Sequence, residues 1–332
     1  MKIFLLSPTF HGYWRSYARA FESLGHTVDV LVYQRFTTVR ARVRNKLVYE
    51  LPGRFGSERG TAAFARSVTR AAVGRLEAAS PDTVLVIKGD VLEASFWDAV
   101  DRRGLPSVLY LYDDLPKMRH TEDTLRRPRH VATFSSRDQR WLTDEGYSAS
   151  YLPMAFDPTV TYSPRKQDAV VFVGSRYPDR EAALAGLHQR GVPVIAYGRE
   201  WSRHPFDRLR SWQWHRPAVP ARRDVTLSEA LGITAGAGAA FNSHAGHEGF
   251  NPRTFETSGV GGLQLIDRED VAAFYEPGRE VLVYRSQEEL TELSTRALRD
   301  PAWGRRIRTA ARTRTLAQHT FADRARALSE LW

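Results

Sequence analysis

Apolar residues along this chain come in short, nearly continuous runs, and each run is followed by a stretch with the three-and-four spacing of a helix. Ile3–Leu6 is the first run. Tyr13–Leu24 then has helical spacing and stops at Gly25, and Val28–Val32 follows as a second strand. Thr61–Ala79 reads as a long amphipathic helix leading to Pro81. Further strands are expected at Thr83–Ile87, Val108–Tyr112, Val131–Phe134 and Tyr151–Leu152, with helices near Leu92–Arg102 and Asp138–Glu145. Apolar runs without alternation belong to strands covered on both faces, so the pattern predicts a parallel sheet with helices on either side. Arg35–Gly60 breaks the pattern. It has no clear period, carries many arginines and reads as a mobile surface segment.

Pro153–Gln167, with three prolines and several polar residues, is the expected linker, and after it the alternation restarts. Strands are predicted at Ala169–Val173, Val192–Tyr197, Gly238–Phe241, Leu263–Ile266, Val271–Tyr275 and Val281–Tyr284. Helices are predicted at Arg180–Gln189, Leu227–Ile233, Pro252–Ser258, Glu288–Arg299, Ala302–Gln318 and Ala322–Leu331. The organisation that follows is two α/β domains, one over residues 1–156 and one over 165–318, with a closing helix at about 319–332 returning to the first. A length of 332 residues agrees with two domains.

Composition narrows the picture. A 42% hydrophobic fraction and eight tryptophans can fill two cores. No run reaches the roughly 18 to 20 apolar residues that span a bilayer. The opening MKIFLLSPTFHGYW turns polar too soon for a signal peptide, so a cytoplasmic protein is expected. With no cysteine, disulfides, zinc–thiolate sites and cysteine nucleophiles are excluded. The net charge of +10 raises nucleic acid as a partner. Lysine is scarce, however, and the arginines are dispersed, with local concentrations only at Arg35–Lys46, Arg119–Arg140 and Arg296–Arg314. An anionic substrate or peripheral contact with an anionic membrane at the inner face suits that distribution better.

The chemistry concentrates at His247-Glu248-Gly249-Phe250-Asn251-Pro252-Arg253-Thr254-Phe255-Glu256, followed by Gly261-Gly262. Asn251 suits an N-cap and Pro252 the first helical position. An arginine in the first turn faces the positive end of the helix dipole, which is unfavourable unless an anion sits nearby. A phosphate would be held there by Arg253, Thr254 and the free N–H groups, with Glu256 accepting from hydroxyls of whatever carries it. Glu248 and Glu256 taken alone are two solvated carboxylates. The second anion-facing candidate is Gly174-Ser-Arg176-Tyr-Pro-Asp-Arg180, where a strand ends in glycine and opens onto a helix with two arginines. Its plain alternative is an ordinary turn with surface arginines. His244 precedes the main motif and, with His247, can hydrogen-bond a sugar or a phosphate. A solvated histidine is the simpler fate for at least one of them, and the pair is weak metal spacing without a third ligand. Trp201-Ser-Arg-His-Pro-Phe206 and Trp212-Gln-Trp214-His215 follow a strand end where a nucleobase can stack, although core packing is the commoner fate of tryptophan.

The stretch Asn251-Pro-Arg-Thr-Phe-Glu256 with Gly261-Gly262-Leu-Gln-Leu resembles the C-terminal motif of CgeB-like (spore-protein-like) glycosyltransferases of the GT-B class. The two glutamates, separated by seven residues, are similar to the pair of retaining GT-B transferases. Tyr112-Asp113-Asp114, Phe134-Ser135-Ser136 and Tyr151-Leu-Pro-Met-Ala-Phe-Asp-Pro158 look like that family's N-terminal half and linker. The resemblance implies an α/β GT-B fold of two Rossmann-like, doubly wound domains facing a central cleft. It implies a nucleoside-diphosphate sugar as donor substrate, no cofactor and no metal. Glu256 would hold the ribose, Glu248 would lie near the donor sugar, and Arg253 with Arg176 or Arg180 would contact the diphosphate. The lysine that often accompanies the arginine in retaining families has no counterpart here. In the N-terminal half, His11 follows the first strand and would face the sugar or the acceptor. Asp113 and Asp114 are the alternative bases, or caps of the next turn. A nucleotide-sugar epimerase or hydrolase, or a non-catalytic nucleotide-binding protein, are the rival readings, and the acceptor is not legible.

Overall fold

The structure is a computed structural model that describes residues 1–33, 58–244, 246 and 248–332. The expected arginine-rich segment falls largely on residues 34–57, outside the described residues. His247 lies outside them as well. Two compact units make up the chain: Met1–Pro153 with Phe321–Trp332, and Met154–Thr320.

In the N-terminal unit, strands β1 (Lys2–Pro8), β2 (Thr27–Tyr33), β3 (Thr83–Ile87), β4 (Ser107–Leu111), β5 (His130–Thr133) and β6 (Ala149–Tyr151) form a parallel sheet in the order β2-β1-β3-β4-β5-β6. Helices α1 (Tyr13–Ser23), α2 (Glu58–Ala79), α3 (Ala94–Arg102), α4 (Glu122–Arg126) and α5 (Ser136–Asp144) connect them. Every residue of β3 and β4 is buried, which is what their unbroken apolar runs require. The order reverses between β1 and β3, so the carboxyl ends of those two strands form this sheet's switch point.

The C-terminal unit repeats the plan with β7 (Gln167–Val173), β8 (Val194–Tyr197), β9 (Ala221–Arg222), β10 (Ala237–Asn242), β11 (Gln264–Ile266) and β12 (Leu282–Val283). These strands are parallel, in the order β12-β11-β10-β7-β8-β9. Its helices are α6 (Pro178–Gln189), α7 (Pro205–Ser211), α8 (Leu227–Gly236), α9 (Pro252–Gly259), α10 (Gln287–Arg299) and α11 (Pro301–Gln318). Here the order reverses between β7 and β10. A final helix, α12 (Phe321–Ser329), belongs to the N-terminal unit, where the Phe321 ring meets Tyr17 edge-on at 4.8 Å. Met154, Ala155 and Phe156, within the expected linker, are buried in the C-terminal unit.

One expected strand is not a strand. Val271–Tyr275 lies on a 3-10 turn, Glu269–Ala273, and the two residues after it. Val271 and Tyr275 are buried while Ala272 and Ala273 are exposed, so burial recurs every fourth residue as on a helical turn. Helices α4 and α7 and strand β9 had no counterpart in the sequence pattern, being five, seven and two residues long. Among the described residues, no helix is long and apolar enough to cross a membrane.

Candidate functional site

Ligands of open α/β sheets sit outside the carboxyl ends of the strands at the switch point. In the C-terminal unit those ends are Val173-Gly174 on β7 and Asn242-Ser243 on β10, and the start of α9 follows the loop after β10. The two motifs singled out in the sequence, 79 positions apart at Gly174 and Arg253, meet here.

Arg253 reaches back across α9's first turn to β7. Its Nη1 donates to the Val173 carbonyl at 2.8 Å, and its guanidinium lies 5.1 Å from the centre of the Phe172 ring. The carbonyl and ring offset part of the cost of a cation at a helix N-terminus. Gly174 makes room for this side chain, because a Cβ at that position would come within 2.1 Å of Arg253 Nη1. The backbone there has φ +154°, outside the range of L side chains. Gly198, at the end of β8, closes the same corner. Its own added Cβ would stand 2.6 Å from the Gly174 carbonyl oxygen, which accepts from Trp201 Nε1 at 2.9 Å. Trp201 is fully buried and packs edge-on against Phe172, so it is core and not a stacking platform.

Arg180 approaches the same Phe172 ring, its guanidinium 5.4 Å from the ring centre. It is 3% exposed. Its Nε and Nη2 donate to the Ser243 carbonyl at 3.1 and 2.7 Å and Nη1 to Ser175, which ties the ends of β10 and β7 together. Two guanidinium groups thus converge on one ring beside the N-terminus of α9, and positive potential is concentrated there. Arg176 is occupied elsewhere: with Glu181 at 2.6 Å, and with Gln213 Oε1 and the His215 carbonyl.

Behind this corner runs a buried polar network that the sequence did not reveal. Asn251 opens α9, but its side chain does not cap the helix; its Nδ2 donates to Asn242 Oδ1 at 3.1 Å. Asn242 Nδ2 donates in turn to Thr254 Oγ1 and Gln264 Oε1, at 3.1 and 2.9 Å. Thr254 is fully buried, with its hydroxyl 3.3 Å from His244 Nε2. His244 Nδ1 lies 2.9 Å from Asp267 Oδ1. His244 is 2% exposed, so it is neither solvated nor aimed outward. Burial pulls its imidazole below the ordinary value of 6.5, against the opposing pull of Asp267. The neutral ring therefore donates from Nδ1 to the carboxylate and accepts at Nε2 from Thr254. Asp267 is itself pushed up by burial, but the hydrogen bonds from His244 and Ser243 outweigh this and hold it below the usual carboxylate value. Asp267 directly follows β11, and its place at a strand's carboxyl end was the available signal. Asn242 and Gln264 left none, since they sit inside apolar runs.

The two glutamates differ in setting. Glu256 is partly exposed on the second turn of α9. Glu248 is exposed on the preceding loop, where its carbonyl accepts from Arg268 Nη1 at 2.6 Å.

The N-terminal unit has its own switch point. His11 is exposed after β1 with φ +43°, and Lys88 ends β3 with φ +65°, so non-glycine residues sit in the left-handed region at both strand ends. Lys88 Nζ lies 3.4 Å from Asp113 and 5.6 Å from the Phe10 ring centre. Asp114 is 3% exposed, with one carboxylate oxygen 2.7 Å from Lys117 Nζ. It does not cap the turn that follows it; Asp138 accepts from the Leu115 N–H instead.

Comparison with known proteins adds the fold's identity. Residues 175–330 match the model of a glycosyl transferase-like family. No curated protein sequence matches the chain. Sucrose-phosphate synthase from Thermosynechococcus elongatus superposes with a TM-score of 0.66 at 12% identity, covering 100% of this chain and 98% of that one. Anabaena HepE in complex with UDP-glucose gives 0.62 at 13% identity, covering 99% and 98%. UDP-GlcNAc 2-epimerase from Neisseria meningitidis, bound to UDP-GlcNAc, gives 0.59 at 11%, covering 100% and 99%. At these identities the likeness is one of fold. The chain has the GT-B fold of two Rossmann-like domains, and the glycosyl transferase-like match falls largely on its C-terminal unit.

Proposed function

We propose that the protein is a glycosyltransferase whose C-terminal unit holds a nucleoside-diphosphate sugar at the carboxyl ends of β7 and β10. The observation that carries this reading is the meeting of Arg253, Gly174 and the α9 N-terminus at the sheet's switch point. Arg253 and the N-terminal end of α9 face the diphosphate, and Gly174 makes room for the Arg253 side chain that meets it. Arg180 supplies the second cation in place of a lysine. Glu256 accepts from the ribose hydroxyls, and Glu248 stands beside the donor sugar. His244, Asn251 and Thr254 shape the corner from behind, while Arg176 braces the loop at Gln213 and His215. When the bond from the sugar's anomeric carbon to the diphosphate breaks, negative charge grows on the leaving phosphate, and the paired guanidiniums stabilise it. The reading includes transfer with retention, which the spacing of Glu248 and Glu256 supports, and cations that serve in place of a metal. In the N-terminal unit, exposed His11 is the acceptor-side contact. Asp114, buried against Lys117, is the weaker candidate for a base.

A thermal-shift panel of UDP-, GDP-, dTDP- and ADP-sugars tests the donor site. A donor at about 100 times its dissociation constant adds roughly 2.7 kcal/mol of stability. Arg253→Ala should weaken that donor by about tenfold or more, as loss of a charge-assisted contact does. No shift with any donor would reject the reading. Sugar release or epimerisation without added acceptor would instead assign an epimerase or hydrolase to the same fold.

A further inference from the structure

Four of the large apolar side chains that this protein exposes fall within nine residues of the C-terminal unit. Phe206 is 52% exposed, Leu209 54%, Trp212 61% and Trp214 66%. The fold holds them outward. His204 Nδ1 accepts from the Phe206 N–H to start α7, and Arg216 Nη2 donates to Ser211 Oγ at its end. Arg176 fixes the following loop through Gln213 and His215. Trp212 sits at φ +54°, a conformation that a bulky side chain adopts only when its surroundings impose it, and its side chain stays exposed.

The segment that carries these side chains is basic. Between Trp201 and Arg223 the only acid is Asp207, which is fully buried and held by Arg223 at 2.9 and 3.1 Å. Arg203, Arg210 and Arg222 are exposed, and the Arg210 guanidinium lies 5.5 Å from the centre of the Phe206 ring. Exposed indoles, a phenyl ring and a leucine among arginines, with no exposed carboxylate between Trp201 and Arg223, match an anionic lipid surface. The rings enter the headgroup level, Leu209 reaches the acyl boundary, and the arginines remain at the phosphates. A soluble polyanion would satisfy the arginines but leave Leu209 and Phe206 in water.

We propose that Phe206, Leu209, Trp212 and Trp214, with Arg203 and Arg210, dock the C-terminal unit on an anionic membrane surface. This does not depend on the donor or the reaction. The test is co-sedimentation of the full chain with phosphatidylcholine vesicles, with and without phosphatidylglycerol, beside quenching of tryptophan fluorescence by brominated lipid. Binding is expected only with phosphatidylglycerol, together with quenching of the exposed indoles. Trp212→Ser with Trp214→Ser should cut partitioning by about tenfold or more, since indoles supply much of interfacial affinity. Arg203→Gln with Arg210→Gln should weaken it several-fold, whereas Arg279→Gln with Arg305→Gln, remote in sequence from the patch, should leave it unchanged. Equal binding to neutral vesicles, no binding, no quenching, or an unaltered tryptophan variant would each overturn the proposal. So would binding to duplex DNA that falls equally with the tryptophan pair. The wild-type quenching and the arginine variants decide the matter even if the tryptophan variant unfolds.

Discussion

Gly198 and His244 show how single residues hold the candidate donor site. At Gly198 an added methyl group would meet the Gly174 carbonyl, a backbone atom with nowhere to go, and φ is +155°. Gly198→Ala should therefore cost roughly 1–3 kcal/mol in urea unfolding, the range of residues forced into disfavoured backbone regions. An unchanged midpoint would show that the corner relaxes. His244 is held neutral in the fold, its pKa below the unfolded value of 6.5. Between those two values the unfolded chain binds the extra proton, so stability is complete above about pH 6.5 and declines as pH falls toward the folded pKa. His120 and His130 are shifted the same way, both chiefly by burial, and add to the decline. Urea midpoints of wild type and His244→Gln, compared from about pH 7 to about pH 5, should show a shallower fall in the variant. Equal slopes would remove His244 from the account.

At the scale of elements, two helix starts with good cap residues, those of α5 and α9, use them differently. Ser135 is buried and caps α5 by accepting from the Asp138 N–H at 3.1 Å. Ser135→Ala should cost about 1 to 2 kcal/mol of stability, since the N–H it satisfies is also buried. An effect near zero would mean that another group takes over the cap. Asn251, by residue type a cap as good as Ser135, instead gives its side chain to Asn242. That leaves the first turn of α9 with neither an acidic residue nor a side-chain cap, and with Arg253 reaching the end of β7. A helix start with good cap chemistry in its sequence and no cap in its structure is what an anion site needs.

At the scale of the whole molecule, the chain leaves its first unit at Pro153 and re-enters it at Phe321. Phe321 packs on Tyr13 and Tyr17, at ring separations of 5.9 and 4.8 Å, and Ala325 and Leu328 are fully buried. Arg324 Nε donates to the Pro153 carbonyl at 2.8 Å. The last twelve residues are thus part of the N-terminal core. Phe321→Ala should cost about 3–5 kcal/mol, as buried aromatic truncations do. A fragment spanning residues 1–153 should not fold cooperatively unless a peptide of residues 321–332 is added. A sigmoidal melt of the fragment alone would refute this.

The strands and long helices were legible because their periods come from burial on one or two faces, and the chain carries that periodicity locally. Gly174, Pro252 and Arg253 were legible locally too: glycine marks a strand end, proline a helix start, and arginine in a first turn goes against what the helix end prefers. Three things were decided only in space. Val271 and Tyr275 read as a strand until packing placed them on one side of a turn. Asn242, Gln264 and His244 look like ordinary polar residues until β10, β11 and α9 bring them into one dry network. And Arg253, which its own helix end disfavours, reaches the Phe172 ring and the Val173 carbonyl only because β7 and β10 are neighbours in the sheet, a pairing between residues some 70 positions apart that no local pattern encodes.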